Sequence, residues 1–162
     1  MKVVRRALGL FLLVFVFCGT EGFASEWQCQ VIAETDGDTI KVLSAEKKTI
    51  RVRLARIDAP EKKQPFGKLA GKTLSGMVFG KQVVVHEIGK DKYGRTLADI
   101  YLGGHWINTL LIEKGVAWVY VKYRDDDEPI DVEQNAKKKR MEPLQEGNPI
   151  PPLEWRREKG GW

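Results

Sequence analysis

Three short segments in the first third of the chain alternate apolar and polar residues, and this pattern constrains the fold more than any other feature of the sequence. The segments span residues 27–34, 40–42 and 50–54. A period of two is typical of β-strands with one buried face. The dipeptide Asp36-Gly37, a strong turn former, separates the first two segments, and a short polar turn separates the next two. The sequence therefore predicts a three-stranded antiparallel meander.

The alternation fails after Leu54, because a continued strand would place Ile57 on the same face as the arginines. A bulge or a sharp bend near Ala55 would return Ile57 to the apolar face. Such irregularities often re-aim side chains beside active sites. We therefore expect the third strand to bend at this point.

After the meander the spacing becomes helical and then alternates again. The predicted elements are a helix over residues 65–79, strands over 81–88 and 95–102, a helix over 106–114, and a helix between the acidic residues 125–127 and the basic residues 137–140. A barrel of five strands with a helix between the third and the fourth has the layout of the OB-fold. The predicted fold class is thus α+β, a five-stranded OB-fold β-barrel with about three α-helices.

The N-terminal 24 residues have the pattern of a secretory signal peptide. Three basic residues precede an uncharged run over residues 7–17, and the small residues Gly22 and Ala24 follow it. The run is shorter than the roughly 20 apolar residues that span a bilayer. We expect cleavage after Ala24 and export to the periplasm or the medium; an uncleaved anchor is the alternative.

The rest of the chain divides into a domain over residues 25–142 and a C-terminal tail over residues 143–162. The tail is rich in proline, tryptophan and arginine, and we expect it to be extended or disordered. The formal net charge of +5 is a mild basic excess that is compatible with a polyanionic partner. Cys29 lies in the first alternating segment, which predicts a buried position in a strand.

Acidic residues recur where the predicted strands turn or end: Asp36, Asp38, Asp58 and Glu61. In a meander the start of the second strand lies beside the end of the third, so Asp38 and Asp58 should be neighbours. Two adjacent carboxylates repel each other unless a cation lies between them. A hard, oxygen-preferring ion such as Ca²⁺ would remove this conflict. Each motif taken singly also has a purely structural interpretation as a turn or a loop.

Three blocks of the sequence resemble the signature blocks of the staphylococcal nuclease (thermonuclease) family, in the order in which the family has them. They are residues 36–39 (Asp-Gly-Asp-Thr), 53–61 (Arg-Leu-Ala-Arg-Ile-Asp-Ala-Pro-Glu) and 91–95 (Asp-Lys-Tyr-Gly-Arg), within a similarity that covers residues 31–141. The resemblance implies an OB-fold and a calcium-dependent nuclease that acts on DNA and RNA.

The resemblance also implies roles for individual residues on the acidic side of the site. Asp38 and Asp58 match the carboxylate ligands of calcium. Ala59 matches a ligand that acts through its backbone carbonyl. Asp36 is at the position of an acid in the outer coordination sphere, and Glu61 matches the proposed general base.

The positions that contact nucleic acid are matched as well. Arg53 and Arg95 match the two arginines of the family that bind phosphate. A guanidinium donates paired hydrogen bonds to phosphate, which the ammonium of lysine does less well. Tyr93 is at a nucleotide-contacting position. Tyr123 aligns with a second such tyrosine.

The signal-peptide pattern and the family resemblance together imply an exported, calcium-dependent endonuclease that cuts DNA and RNA with little sequence specificity. We expect a monomer with no stable protein partner and no membrane contact after cleavage of the signal. The alternatives are a nonhydrolytic OB-fold module that binds nucleic acid or protein, and a structural domain stabilised by calcium.

Overall fold

The computed structural model of the protein describes residues 25–120, 122, 127–138 and 150–159. Within these residues the chain forms eight strands and four helices. The strands are β1 (Ser25–Asp36), β2 (Thr39–Leu43), β3 (Thr49–Leu54), β4 (Ile57–Asp58), β5 (Gln82–Lys90), β6 (Thr96–Leu102), β7 (His105–Trp106) and β8 (Trp118–Val119). The helices are α1 (Gly67–Val78), α2 (Ile107–Glu113), α3 (Asp127–Lys138) and α4 (Pro152–Glu158).

Five of the strands form a closed barrel. They are hydrogen-bonded in the order β3-β2-β1-β5-β6, and β3 then pairs with β6 in parallel to close the sheet. The closing pairs join Val52 to Thr96 and Leu54 to Ala98. The predicted α+β class, the OB-fold barrel and the antiparallel meander of β1, β2 and β3 are confirmed.

The two ends that carry the acidic residues meet at one rim of the barrel. The tight turn at Gly37 joins β1 to β2, and Thr39 at the start of β2 pairs with Arg53 near the end of β3. The backbone N–H of Leu54 donates to the carbonyl of Asp38 at 2.9 Å. The register therefore fixes the first and second acidic motifs side by side.

The predicted bend after β3 is confirmed. Arg56 adopts a left-handed backbone conformation with φ of 66°, and both Leu54 and Ile57 are buried on either side of it. The buried amide of Asn108 holds the bend, since its Nδ2 donates to the carbonyl of Ala55 at 2.9 Å. A buried carbonyl that the bend removes from the sheet needs such a partner.

The apolar core fills the barrel and the space beneath α1 and α2. Its largest fully buried side chains include Ile40, Leu54, Leu74, Ile100 and Leu111. Cys29 is buried in β1 as predicted, and burial raises the pKa of its thiol to about 11. The thiol is therefore neutral at physiological pH and packs as a small apolar group.

The C-terminal tail differs in part from the extended or disordered chain that its composition predicts. The tail is not extended throughout, because residues 152–158 form helix α4. Proline at the first helical position, an acid in the first turn and arginines in the last turn all favour this helix. The predicted signal peptide, Tyr123 and tail residues 143–149 lie outside the described residues. Within the described part of the chain, no helix is long and apolar enough to cross a membrane.

The core predicts a matched pair of substitutions. Leu111→Ala should lower the free energy of unfolding by about 2–5 kcal/mol, because Leu111 is 0% exposed and its removal leaves a cavity. Leu69→Ala, at a position that is 38% exposed, should change it by less than about 1 kcal/mol. Urea denaturation followed by circular dichroism measures both. Equal losses in the two variants would contradict this description of the core.

Candidate active site

A cleft of about 590 Å³ opens at the rim where β2 begins and β3 ends. Nearly all of the predicted site side chains line it: Asp36, Asp38, Arg53, Asp58, Glu61, Tyr93 and Arg95. Ala59 is buried behind this lining. The fold therefore gathers the three sequence blocks into one place, although they span about 60 positions of the chain.

Asp38 is held firmly on the floor of the cleft. Its Oδ1 accepts a hydrogen bond from the hydroxyl of Thr39 at 2.9 Å, and its Oδ2 accepts one from the backbone N–H of Ala59 at 3.1 Å. Ala59 thus ties the segment after β4 to the start of β2. The donors fix the carboxylate in a single orientation.

Arg53 joins the two aspartates. Its Nη2 lies 3.0 Å from Oδ2 of Asp38 and 3.4 Å from Oδ1 of Asp58, and it also donates to the carbonyl of Ile57 at 2.9 Å. Its Nη1 donates to the carbonyl of Leu54. The Arg53 side chain is 14% exposed. The ends of β3 and β4 therefore hold it in place at the lining of the cleft.

The acids of the cleft are electrostatically crowded. Burial raises the pKa of Asp36 to about 6, and the neighbouring charge of Asp38 adds to this shift. Burial also raises the pKa of Asp58, while Arg156 and Arg53 act in the opposite direction. Positive charge inside the cleft is therefore a condition for keeping these carboxylates ionised.

Glu61 stands on a tight turn that follows Pro60. The carbonyl of Glu61 accepts from the backbone N–H of Gln64 at 2.8 Å, and the side-chain Oε1 of Gln64 accepts from the N–H of Glu61 at 3.2 Å. Gly67, at the start of α1, packs directly on this turn. A Cβ at Gly67 would lie 1.9 Å from the carbonyl oxygen of Glu61. The close packing of Gly67 therefore fixes the position of the Glu61 backbone relative to the start of α1.

Arg95 reaches the same cleft from the turn between β5 and β6. Asp91 organises this turn, since its carboxylate accepts from the backbone N–H groups of Tyr93 and Arg95 and from Nε of Arg95 at 2.6 Å. The Nη1 of Arg95 lies 3.4 Å from the hydroxyl of Thr39, close to Asp38. Tyr93 is 65% exposed at the lip, with the Arg95 guanidinium 5.5 Å from its ring centroid.

Several cationic residues in the cleft were not predicted. Lys90, Lys92 and Lys122 line its walls, and Arg156 of α4 enters it from the C-terminal end of the chain. The Arg156 guanidinium donates to both oxygens of Asp58, at 3.1 and 2.7 Å, and to Oε1 of Glu61 at 2.9 Å. Burial alone would lower the pKa of Arg156, but these bonds outweigh it and raise the pKa. The proline-initiated Trp-Arg-Arg motif is the one sequence signal that indicates a helix here.

The carboxylate oxygens of Asp38 and Asp58 are ligands that a hard cation prefers. Asp38 and Asp58 already converge on one cationic nitrogen of Arg53, so their oxygens face a common point. No cluster of three or more His, Cys, Asp and Glu side chains that could hold a metal ion occurs among the described residues. A site here would consequently need backbone carbonyl or water ligands besides the two carboxylates, which Ca²⁺ accepts readily.

Comparison with known proteins matches this chain to nucleases. Residues 51–142 match the family described as staphylococcal nuclease homologue. A Haemophilus influenzae protein named "Uncharacterized endonuclease" is 39% identical over 158 residues, which cover 98% of this chain and 86% of the relative. An Escherichia coli O157:H7 protein of the same name is 33% identical over 96% of this chain and its own full length. A Shigella flexneri protein named "Micrococcal nuclease" is 38% identical over 82% of each chain.

The contact between α1 and the Glu61 turn predicts opposite effects for two glycine substitutions in one helix. Gly67→Ala should destabilise the protein by more than about 1 kcal/mol, because a backbone atom of Glu61 blocks the new methyl group. Gly76→Ala should stabilise it by up to about 1 kcal/mol, because its surroundings are open and alanine favours the helix. Thermal denaturation tests both. A stabilising Gly67→Ala would show that the turn is not packed as described.

The Asp91 turn predicts a pH-dependent effect. Burial opposes ionisation of Asp91, but hydrogen bonds from Arg95 and Tyr93 outweigh it and hold the pKa below the ordinary value of 3.8. The stabilisation is therefore present above that pH and is lost as the pH falls through the folded-state pKa. Asp91→Asn should cost about 1 kcal/mol at pH 6, and its difference from the wild type should shrink below pH 3.8.

Melting temperatures measured across pH 2–7 for the wild type, Asp91→Asn and the control Asp131→Asn test this expectation. Asp131 is an exposed acid of α3, distant in sequence from the turn. A constant difference between wild type and Asp91→Asn at every pH would contradict the assigned contacts.

Proposed function

The chain belongs to the staphylococcal nuclease family and is a nuclease, a hydrolase of phosphodiester bonds, and we propose that it is an exported, calcium-dependent endonuclease that cuts DNA and RNA with little sequence specificity. The observation that carries the proposal is the convergence of both arginines and all of the predicted acids on one cleft. The expected signal peptide supports export.

Hydrolysis of a phosphodiester requires neutralisation of negative charge as a five-coordinate phosphorus forms. Arg53 and Arg95 line the cleft from opposite elements, β3 and the β5–β6 turn. A guanidinium group can donate paired hydrogen bonds to phosphate oxygens. Arg53 already donates to Asp38 and to the carbonyls of Leu54 and Ile57, so it would exchange some of these contacts for contacts with phosphate. Charged donors close to the reacting phosphate stabilise the negative charge that develops on it.

Asp38 and Asp58, with the backbone of Ala59, are the proposed ligands of calcium. Both carboxylates lie on the floor of the cleft and face the same cationic nitrogen. A bound Ca²⁺ would supply Lewis-acid neutralisation of a phosphate oxygen and a template for the substrate. The nearby Asp36 would add negative charge from outside the set of direct ligands.

Glu61 is the proposed general base. Its carboxylate lies at the cleft wall and is 37% exposed, so a water molecule can reach it. In its ionised form it can take a proton from that water as the oxygen attacks phosphorus. Asp58 and Glu61 line the same cleft, so the attacking water and the phosphate would meet between them.

The proposed lack of sequence specificity follows from what faces the cleft. Its cationic lining is directed to phosphate, and phosphate contacts carry no sequence information. Tyr93 offers an exposed ring at the lip, on which a base of any kind can stack. A flexible single strand or a frayed end fits such a shallow surface more easily than a stiff duplex, and the same contacts are available on DNA and RNA.

The test is a nuclease assay on end-labelled DNA and RNA with the wild type in Ca²⁺, the wild type in EGTA, and Glu61→Gln in Ca²⁺. EGTA should abolish cleavage, and Glu61→Gln should lower kcat by about 10²–10⁴ because the amide cannot accept the proton. Glu113→Gln, an exposed position at the end of α2, is the matched control and should retain full activity. Equal cleavage by the wild type in Ca²⁺, the wild type in EGTA and Glu61→Gln in Ca²⁺ would contradict the proposal.

A further inference from the structure

The C-terminal segment returns to the cleft and closes part of it. Its entry is anchored at Ile150, whose carbonyl accepts from the side-chain Nε2 of Gln64 at 2.7 Å. Gln64 also bonds the backbone of Glu61, so the anchor and the active-site turn share one side chain. From there Pro151 and Pro152 begin α4, which carries Arg156 over the acids.

Arg156 makes its contacts with the two residues that the proposed function uses most directly. Its guanidinium is bidentate on Asp58, the proposed calcium ligand, and it bonds Glu61, the proposed general base. Both oxygens of Asp58 are engaged in this way. A cation of the protein itself therefore occupies the face of Asp58 that opens to the cleft.

We propose that Arg156 is an internal stand-in for the divalent cation, and that α4 is an autoinhibitory strap which Ca²⁺ must displace before substrate is cut. The inference rests on the proposed calcium site. A guanidinium and a divalent ion cannot share the same face of Asp58, because they compete for its oxygens and repel each other. One carboxylate oxygen of Glu61, Oε1, is likewise engaged while it accepts a hydrogen bond from Arg156.

The strap is built to be released. Helix α4 has seven residues, of which Pro152 is the buried one. Its polar attachments run through Gln64 and Arg156, and such bonds can be exchanged for bonds to water. Leu153 and Trp155 are only half-buried, so release exposes part of each side chain and not a fully buried one.

The strap also has a use in the ion-free protein. Without a cation, the ionised carboxylates of Asp38, Asp58 and Glu61 would repel one another across the rim. Arg156 bridges Asp58 and Glu61, as Arg53 bridges Asp38 and Asp58. The two arginines therefore hold the acids close together before the ion binds. Part of the free energy needed to bring these carboxylates together is then supplied when the protein folds.

Calcium binding measured by isothermal titration calorimetry of the purified, chelator-treated protein tests the inference. Arg156→Gln should bind Ca²⁺ about tenfold more tightly than the wild type, because three charge-assisted hydrogen bonds no longer compete with the ion. Arg156→Lys keeps the charge but loses the bidentate geometry, and its affinity should lie between the two.

Arg157→Gln is the matched control. It removes the same charge from the same helix, and Arg157 makes no ion pair with Asp58 or Glu61 in the described part of the chain. Its calcium affinity should equal that of the wild type. An equal increase in calcium affinity in Arg157→Gln and Arg156→Gln would show that the effect comes only from the lost positive charge of the helix, and would overturn the proposal.

Thermal stability provides a second readout that does not depend on activity. In EGTA, Arg156→Gln should melt at a lower temperature than the wild type, because the acids lose their bridge. In saturating Ca²⁺ that difference should disappear. A difference of the same size under both conditions would mark Arg156 as a merely structural contact and overturn the proposal.

The outcomes separate this inference from the function on which it rests. A wild type that binds no Ca²⁺ would remove the proposed calcium dependence and the strap together. A wild type that binds Ca²⁺ and cleaves nucleic acid, with an Arg156→Gln variant of unchanged calcium affinity, would overturn the strap alone. Unchanged affinity with a raised KM for DNA would instead make Arg156 a third phosphate-binding arginine.

Discussion

The structure around the cleft depends on one electrostatic constraint: carboxylates that are nearly buried must be kept ionised and close together. The side chain of Asp58 is only 5% exposed, and burial works against its charge. Its neighbour Asp38 carries charge of the same sign. Arg53 offsets the repulsion between these two carboxylates through an ion pair to each aspartate. Hydrogen bonds from the backbone and from Thr39 then fix where the acids point.

The meander, the bend after β3 and helix α2 together bring these carboxylates to one rim of the barrel. The meander sets Asp38 beside the end of β3, and the bend at Ala55 and Arg56 turns the chain so that Asp58 re-enters the rim. Asn108, from α2, holds the bend from inside the core. A buried polar side chain in this position is costly unless it is fully bonded, and here it links the helix layer to the geometry of the active site.

The barrel and the acidic half of the site could be predicted because their signals are local. Alternation of apolar residues predicted the meander, and the broken alternation at Ile57 predicted the bend. The place of Arg156 could not be predicted, since nothing in the residues near 156 specifies which of several acids they will meet. That information lies in the tertiary contacts of the tail with Gln64, Asp58 and Glu61, which no local pattern encodes. The helical content of the tail differs from the expectation for another reason: the composition of the tail favours an extended chain, whereas Pro152 stands at the first helical position, which proline favours.

The parallel pairing of β3 with β6 has a consequence for the newly made chain. The acids Asp36, Asp38, Asp58 and Glu61 have been synthesised by residue 61, but the barrel closes only when Thr96 to Ala98 reach Val52 to Leu54. Arg95 lies immediately before that closing strand, so its guanidinium reaches the cleft when the barrel closes. A partly synthesised or unravelled chain therefore carries the chemical groups of a nuclease without their arrangement. Loss of the pairing between β3 and β6 alone would therefore separate the acids of the cleft from Arg95.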